Sequence, residues 1–239
     1  VELQPLTWDS QFLGYSVARI SAVGSLPPLA EVRRCMTEQG IRLACFAGHT
    51  LQPGMAACFV VTQLELRAAL PDACPADSDT VAQPALRFFD TYGTADADLT
   101  LLARQAGWGS RFRLDHGFAP EVCDEMYRIW LQRSCFREIA DQVLIAKLGS
   151  VLAGMITVRF SQPVARIGLV SVTPHLQGHG IGRQLLLQVL RAASLAGCTE
   201  LAVVTQVQNL AAVRLYQSAG FRPFEMLHWY HIRVQEQSV

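Results

Sequence analysis

The sequence predicts a mixed α/β fold: a central sheet with helices on both faces, preceded by a smaller N-terminal α/β domain. Three observations carry that expectation. Of the 239 residues, 51% are hydrophobic and 17% charged, the composition of a chain that buries a core rather than one that stays disordered. The second half reads strand, strand, strand, helix, strand, helix, strand, an order that builds a mixed sheet covered by helices. Between the halves, Pro71 to Asp79 carries two prolines and almost no large apolar side chain, which reads as a linker. A small domain is therefore expected over residues 1–75 and a larger one over 76–239.

In the first half, Val17–Ile20, Ile41–Phe46 and Phe59–Leu66 have the length and the β-branched or aromatic content of strands. Leu29 to Gln39 suits a helix, with Gly40 as its left-handed terminator. In the second half a helix is expected from Ala95 to Ala106, ending at Gly107. A further helix covers Glu121 to Arg133, where Val122, Met126, Ile129 and Trp130 share one face. Gln142–Ala146 and Val151–Phe160 read as strands joined by the turn Leu148-Gly149-Ser150. Val164–Val172 is a third strand. Then come a glycine-rich turn, a helix Ile181–Ala196 stopped by Gly197, and a strand Leu201–Thr205. A helix Leu210–Ser218 stopped by Gly220 and a strand Met226–Val234 complete the order.

Composition also excludes classes of function. Twenty basic residues balance twenty acidic ones, so no net charge draws the chain to nucleic acid or to an anionic membrane. The seven cysteines are odd in number, scattered, and contain no Cys-x-x-Cys pair, which fits reduced thiols in a cytoplasmic protein rather than a disulfide framework or a zinc site. No apolar run reaches the ~18–20 residues a membrane span needs. Val1 to Pro5 carries no export-signal pattern. No metal is expected.

The segment that points to chemistry is Val170-Ser171-Val172-Thr173-Pro174-His175-Leu176-Gln177-Gly178-His179-Gly180-Ile181-Gly182-Arg183. A strand ends, a short turn follows, and a helix begins. The first turn of a helix leaves four N–H groups without intrahelical partners, and the helix dipole adds about half a positive charge there. Gly178, Gly180 and Gly182 present no side chains, so a diphosphate can approach those donors, with Gln177, His179 and Arg183 beside it. The spacing is neither the dinucleotide fingerprint nor the phosphate loop that ends in Gly-Lys-Ser/Thr.

This turn resembles motif A of the GNAT superfamily of N-acetyltransferases. Asn209-Leu210-Ala211-Ala212-Val213-Arg214-Leu215-Tyr216-Gln217-Ser218-Ala219-Gly220-Phe221 resembles the same superfamily's second signature. The resemblance implies the GNAT fold, acetyl-CoA as cosubstrate and a pyrophosphate site at residues 177–183. It also implies Asn209 near the pantetheine or thioester, and Tyr216 as general acid. A phenol with a pKa near 10 can protonate a thiolate leaving group of pKa about 8–9. The superfamily's oxyanion donor is a backbone N–H on the strand before motif A, here from Leu169, Val170 or Val172.

A narrower resemblance joins Pro5-Leu6-Thr7-Trp8-Asp9-Ser10-Gln11-Phe12-Leu13-Gly14 and Ser110-Arg111-Phe112-Arg113 to the bacterial dTDP-fucosamine acetyltransferase family. It implies a dTDP-4-amino-4,6-dideoxyhexose as the amine and a role in surface polysaccharide; homodimers are common among relatives. Arg111 and Arg113, in a loop between two helices, suit a diphosphate, since arginine offers phosphate a forked pair of donors. Asp115 would line the same substrate site, or pair with these arginines. Tyr15, Trp108, Phe112 and Phe118 are candidates to stack on thymine or sugar, or to pack in the core. Glu65 and Asp115 are the candidate general bases. His175 and His179 flank the cofactor turn, and His228 and His231 read as ordinary strand residues. The competing functions are a GNAT enzyme for another amine, such as an aminoglycoside or a protein N-terminus, and a non-catalytic coenzyme A or metabolite-binding module.

Overall fold

The structure, a computed structural model, describes residues 1–22, 25–70 and 86–234. The elements run β1 (Glu2–Pro5), α1 (Thr7–Leu13), β2 (Val17–Ser21), α2 (Leu29–Glu38), β3 (Leu43–Gly48), β4 (Phe59–Ala69) and β5 (Leu86–Asp90). They continue α3 (Ala97–Ala106), α4 (Arg111–Leu114), α5 (Pro120–Cys135), β6 (Gln142–Leu148), β7 (Val151–Arg159) and β8 (Val164–Val172). After a short 3₁₀ turn come α6 (Ile181–Leu195), β9 (Glu200–Gln206), α7 (Leu210–Ser218) and β10 (Arg222–Arg233).

Two compact units interleave along the chain. One comprises Val1–Gln63, Leu114–Phe118 and Met226–Val239; the other comprises Leu64–Arg113 and Ala119–Glu225. The linker Pro71–Asp79, with Cys74 and the expected boundary near residue 75, lies outside the described residues. Cys35, Cys58, Cys135 and Cys198 are free thiols. Among the described residues, no helix is long and apolar enough to cross a membrane, and no cluster of three or more His, Cys, Asp or Glu side chains suits a metal ion.

In the first unit the strand order is β1-β2-β3-β10, with β2 and β3 parallel and the other two pairings antiparallel. Val32 and Met36, four residues apart on α2, face a core of Ile20, Phe46, Tyr230 and Ile232. The sequence alone does not show β1 or α1 as elements, because neither carries the apolar content of a buried strand or helix; α1 buries no residue fully.

In the second unit the order is β4-β9-β8-β7-β6-β5. Period-two alternation splits its core into two layers. Leu144, Ile156 and Val158 pack with Leu185 and Val189 of α6 and Tyr216 of α7. Val143 and Met155, pointing the other way, pack with Leu102 of α3 and Leu131 of α5. Helices therefore cover both faces of this sheet. Asp96 caps α3 by accepting from the Leu99 N–H at 2.8 Å. Pro120 opens α5, where its missing N–H costs nothing. Residues 111–114, expected as loop, form the turn of helix α4, because Phe112 buries its ring against Trp130.

The α6 layer lies close on β7 at Gly154, where an added Cβ would sit 2.8 Å from the Ser171 carbonyl oxygen and 3.1 Å from Leu185 Cδ1. Replacing Gly154 by Val is expected to destabilise the protein by about 1–3 kcal/mol through overpacking. Denaturant unfolding of the two proteins side by side measures this.

Candidate active site

The site begins with a fault in one strand. β7 pairs Val158 with Ile167 and Ile156 with Val170, so Thr157 alone faces both Gly168 and Leu169 of β8. This is a β-bulge: one extra residue, which bends the strand. Its effect is visible in the packing. Ala165 and Ile167 bury on the α6 face; after the bulge Leu169 turns to the α3 face, and Val170 and Val172 return to the α6 side. The extra residue leaves the Leu169 N–H without a ladder partner, and the buried Thr157 hydroxyl accepts it at 2.9 Å.

On its other edge β8 runs parallel to β9, with pairs from Val164–Glu200 to Ile167–Val203. The pairs stop at the bulge, although β8 continues to Val172 and β9 to Gln206. The two strands part there. Thr173 donates its N–H to Ala153 at 3.0 Å, toward β7. Backbone groups alternate direction along a strand, so those of Val170 and Val172 point away from β7, into the opening. In agreement, the Val172 carbonyl accepts two side-chain amides, Gln105 Nε2 at 2.9 Å and Gln177 Nε2 at 3.1 Å.

The turn after β8 delivers the start of α6. Gly180 is the N-cap in the left-handed region (φ +80°), without a side-chain cap, and the first intrahelical bond runs from the Gln184 N–H to its carbonyl at 3.0 Å. The N–H groups of residues 181–183 precede that first bond and form a donor cluster at the positive end of the helix dipole. Arg183, Gln177 and His179 are exposed around it, and His179 Nδ1 lies 2.9 Å from the Gln177 carbonyl. The three glycines do different work. Gly178 and Gly180 have positive φ and open space where a Cβ would stand; Gly182 is buried, and its Cβ would meet Leu215 Cδ2 at 3.0 Å. Gly182 therefore admits α7 against α6 rather than a ligand against the turn.

Asn209 caps α7: its Oδ1 accepts from the Ala212 N–H at 3.2 Å, and the side chain is exposed. Two turns further, Tyr216 is 5% exposed, in the layer that contains Ile167, Val203, Val170 and Val172, its ring 5.7 Å from Phe221. Burial pushes its pKa well above the ordinary tyrosine value. Its hydroxyl is a proton donor over the whole neutral range.

The residues expected to meet the amine substrate separate in the structure. Arg111 lays its guanidinium over the Phe112 ring, 4.6 Å from the centroid. Arg113 is engaged by Asp124 and by the Pro120 carbonyl, so it braces the turn between α4 and α5. Asp115 pairs with neither. In the first unit it holds Arg233 through both oxygens (3.1 and 2.7 Å), His231 Nδ1 at 2.6 Å and the Gly117 N–H at 2.9 Å. Burial alone would raise its pKa, but the bonds from His231, Arg233 and Gly117 outweigh this and hold the carboxyl well below the usual range. Such a carboxylate is a poor general base. His231 is likewise no ordinary strand residue, being buried against Asp115. Glu65 accepts from Arg67 at 2.7 Å and from Arg166 at 3.2 Å, so both its oxygens are occupied. Of the four aromatics, Phe112 and Phe118 are buried, Tyr15 is half-buried beside Arg42, and Trp108 is 61% exposed. Thr157 and Gln105 were not legible as site residues. The one signal was a hydroxyl in the middle of the apolar run Met155-Ile156-Thr157-Val158.

Residues 110–221, which hold the bulge, the glycine turn and Tyr216, match the family model described as Acetyltransferase (GNAT) family. Over these residues the chain carries a GNAT acetyltransferase domain. It is 27% identical over 235 residues to the dTDP-fucosamine acetyltransferase of Escherichia coli O6:H1, a match that covers 95% of this chain and 96% of that protein. It is 24% identical over 136 residues to the spore coat polysaccharide biosynthesis protein SpsD of Bacillus subtilis, covering 55% of this chain and 45% of that one. Among solved structures, a GCN5-related N-acetyltransferase from Kribbella flavida aligns over 95% of this chain and 84% of its own, with a TM-score of 0.53 and 15% identity. A tandem GNAT protein from the clavulanic acid biosynthesis pathway aligns over 94% and 77%, with a TM-score of 0.51 and 16% identity. The two structures share the fold.

Thr157→Val keeps the shape of the side chain but strands the Leu169 N–H. A loss of about 1–3 kcal/mol is expected, the cost of an unsatisfied buried donor, measurable by urea unfolding. Asp115→Asn should cost roughly 3 kcal/mol at neutral pH, since it breaks a buried charge pair. Because the folded-state pKa is depressed, the Asp115 contribution is complete above the unfolded-state pKa of about 4 and fades as pH falls through lower values. The stabilities of wild type and Asp115→Asn should therefore converge on acidification, and a gap constant from pH 7 to pH 3 would disprove the assignment.

Proposed function

We propose that this chain transfers the acetyl group of acetyl-CoA to the amino group of a nucleotide-linked amino-deoxy sugar, of the dTDP-4-amino-4,6-dideoxyhexose class. The observation that carries the transfer itself is the parting of β8 and β9 beside an uncapped helix start. The opened edge of β8 offers amide donors and acceptors to an extended amide-bearing arm, and α6 offers N–H groups to a diphosphate. Coenzyme A has both parts. Support for the sugar comes from the match to the Escherichia coli enzyme along nearly its whole length.

In this reading the N–H groups of residues 181–183, with Gln177, His179 and Arg183, hold the diphosphate. Gln177 leaves the Val172 carbonyl to do so. Val170 and Val172 supply the backbone edge, and one of their N–H groups faces the thioester oxygen, where charge develops during attack. Leu169 does not, because Thr157 holds its N–H. The amine forms the C–N bond and the C–S bond breaks. Tyr216 gives its hydroxyl proton to the departing thiolate, and the new amide's extra proton leaves to solvent. Burial raises the pKa of the phenol, but the same burial raises that of a thiol in the same layer, so their difference is largely kept. Arg111 is the contact for the acceptor's phosphates; Arg113 and Asp115 act through the segments they brace. Neither Glu65 nor Asp115 serves as base, and a sugar amine is neutral often enough at physiological pH to dispense with one.

Tyr216→Phe is expected to lower kcat about 10²-fold or more while the KM for acetyl-CoA stays within a factor of two. The raised pKa adds a signature: wild-type kcat should show no alkaline fall from tyrosine ionisation up to pH 10. Steady-state thiol release with dTDP-amino sugars, aminoglycosides and a peptide amine measures both and ranks the acceptors. An unchanged kcat in the Phe variant would remove Tyr216 as the acid; a preference for aminoglycoside or peptide would remove the nucleotide sugar.

A further inference from the structure

The last turn of α3 and the residues that follow it touch the ends of both parted strands. Gln105 donates to the carbonyl of Val172, the last residue of β8, at 2.9 Å. Four residues on, a Cβ at Gly109 would lie 3.2 Å from Oε1 of Gln206, the last residue of β9. The segment Gln105–Gly109 therefore bridges the opening between the two strands. It is held firmly there. Gly107 has no room for a side chain, since its Cβ would stand 2.4 Å from the Tyr127 ring, and the N–H groups of Gly107, Trp108 and Ser110 all make backbone hydrogen bonds of 2.9–3.1 Å.

At the crest of this bridge stands Trp108, 61% exposed. Among the described residues its indole has no ring or guanidinium partner, while Phe112 and Trp130 nearby in sequence pack on each other. A large aromatic left in water on a tight, hydrogen-bonded turn is a surface waiting for a flat apolar face. The bridge joins the sheet from the α3 layer, whereas the glycine turn opens α6 in the opposite layer. The two binding features thus address the opening from opposite faces of the sheet, which is the arrangement a two-substrate transfer requires.

We propose that Trp108 is a specificity-determining residue for the acceptor, stacking its indole on the apolar C–H face of the sugar ring that carries the amine. This rests on the nucleotide-sugar reading for the identity of the ring but not for the place of the contact. A 6-deoxy sugar suits it, because a methyl group replaces a hydroxymethyl that water holds. Gln105, by fixing the bridge to β8, is the positioning residue for this platform.

The test uses the full-length protein with coenzyme A bound and the same amine panel. Acrylamide quenching of wild type minus Trp108→Phe isolates the fluorescence of Trp108 from that of the other three tryptophans. The preferred amine should shield Trp108, and acetyl-CoA alone should not. In turnover, Trp108→Ala should raise the acceptor KM about tenfold, the size of one aromatic contact, with the KM for acetyl-CoA and the melting temperature unchanged and Trp108→Phe restoring most of the loss. Shielding by an aminoglycoside or peptide in place of the dTDP sugar would retain the platform and overturn the sugar. No shielding by any amine, or an acceptor KM unaltered in Trp108→Ala, would overturn the platform itself.

Discussion

One hydrogen bond underlies the arrangement: the Leu169 N–H to the Thr157 hydroxyl. A regular β8 would stay paired with β9 to its end and leave no opening. An extra residue breaks the register, but it also strands a buried donor, which costs about 1–3 kcal/mol if nothing receives it. The threonine receives it from the facing strand. Gly168 belongs to the same solution, since a Cβ there would lie 2.8 Å from the Thr157 oxygen. The bulge thus needs a hydroxyl on one strand and a missing side chain on the other. With both present, β8 changes face, Val170 and Val172 turn their backbone groups away from β7, and the strand is aimed at the glycine turn.

The sequence shows this region well because local constraints dominate it. β8 and α7 have the boundaries that alternation and helix periodicity predict, and α6 ends one residue from its expected stop. Gly180 begins a helix whose first turn has no competing side-chain cap, and Asn209 caps the next one. Such signals are contained within a few residues. Elements without an apolar signature of their own were not legible. β5 follows a segment of low hydrophobicity, and α4 exists because Phe112 finds Trp130. The roles of charged residues were the least legible of all. Arg113, Asp115 and Glu65 are each defined by their partners, and beside the local Gly117 and Arg67, Asp115 and Glu65 engage Arg233, His231 and Arg166 from more than a hundred positions away. Charge spacing along a sequence says which partners are available, and the fold decides which are taken.

The same lesson applies within the glycine turn. As a pattern, Gly178, Gly180 and Gly182 look like one device for admitting a phosphate. Physically they are two. The first two occupy backbone conformations that side chains resist, and they shape the turn. The third is a contact between helices, and a residue with a Cβ there would push Leu215, one position before Tyr216, away from α6. A change at Gly182 would thus reach Tyr216 through packing, whereas a change at Gly180 would reach the proposed diphosphate site through the backbone. A loss of activity from either would look alike in a single assay and arise at opposite ends of the site.

That separation lets the proposed proton donor be buried while the proposed acceptor platform is exposed. In the proposed transfer Tyr216 keeps its proton until sulfur needs it, and the burial that raises its pKa serves this. Burial also requires that the residue be held by α6, α7 and the sheet, none of which has to move for an acceptor to arrive. Trp108 has the opposite requirement. It must meet water when the site is empty, yet hold a fixed position over the opening, so its rigidity comes from backbone bonds and from Gln105 rather than from packing of the ring. Tyr216 is placed by the core, and Trp108 by a turn anchored at the strand ends Val172 and Gln206. On the proposed roles, substitutions that alter the turn change which amine is accepted and leave the proton transfer intact, because Tyr216 is held in the α6 layer and the turn follows from the α3 layer.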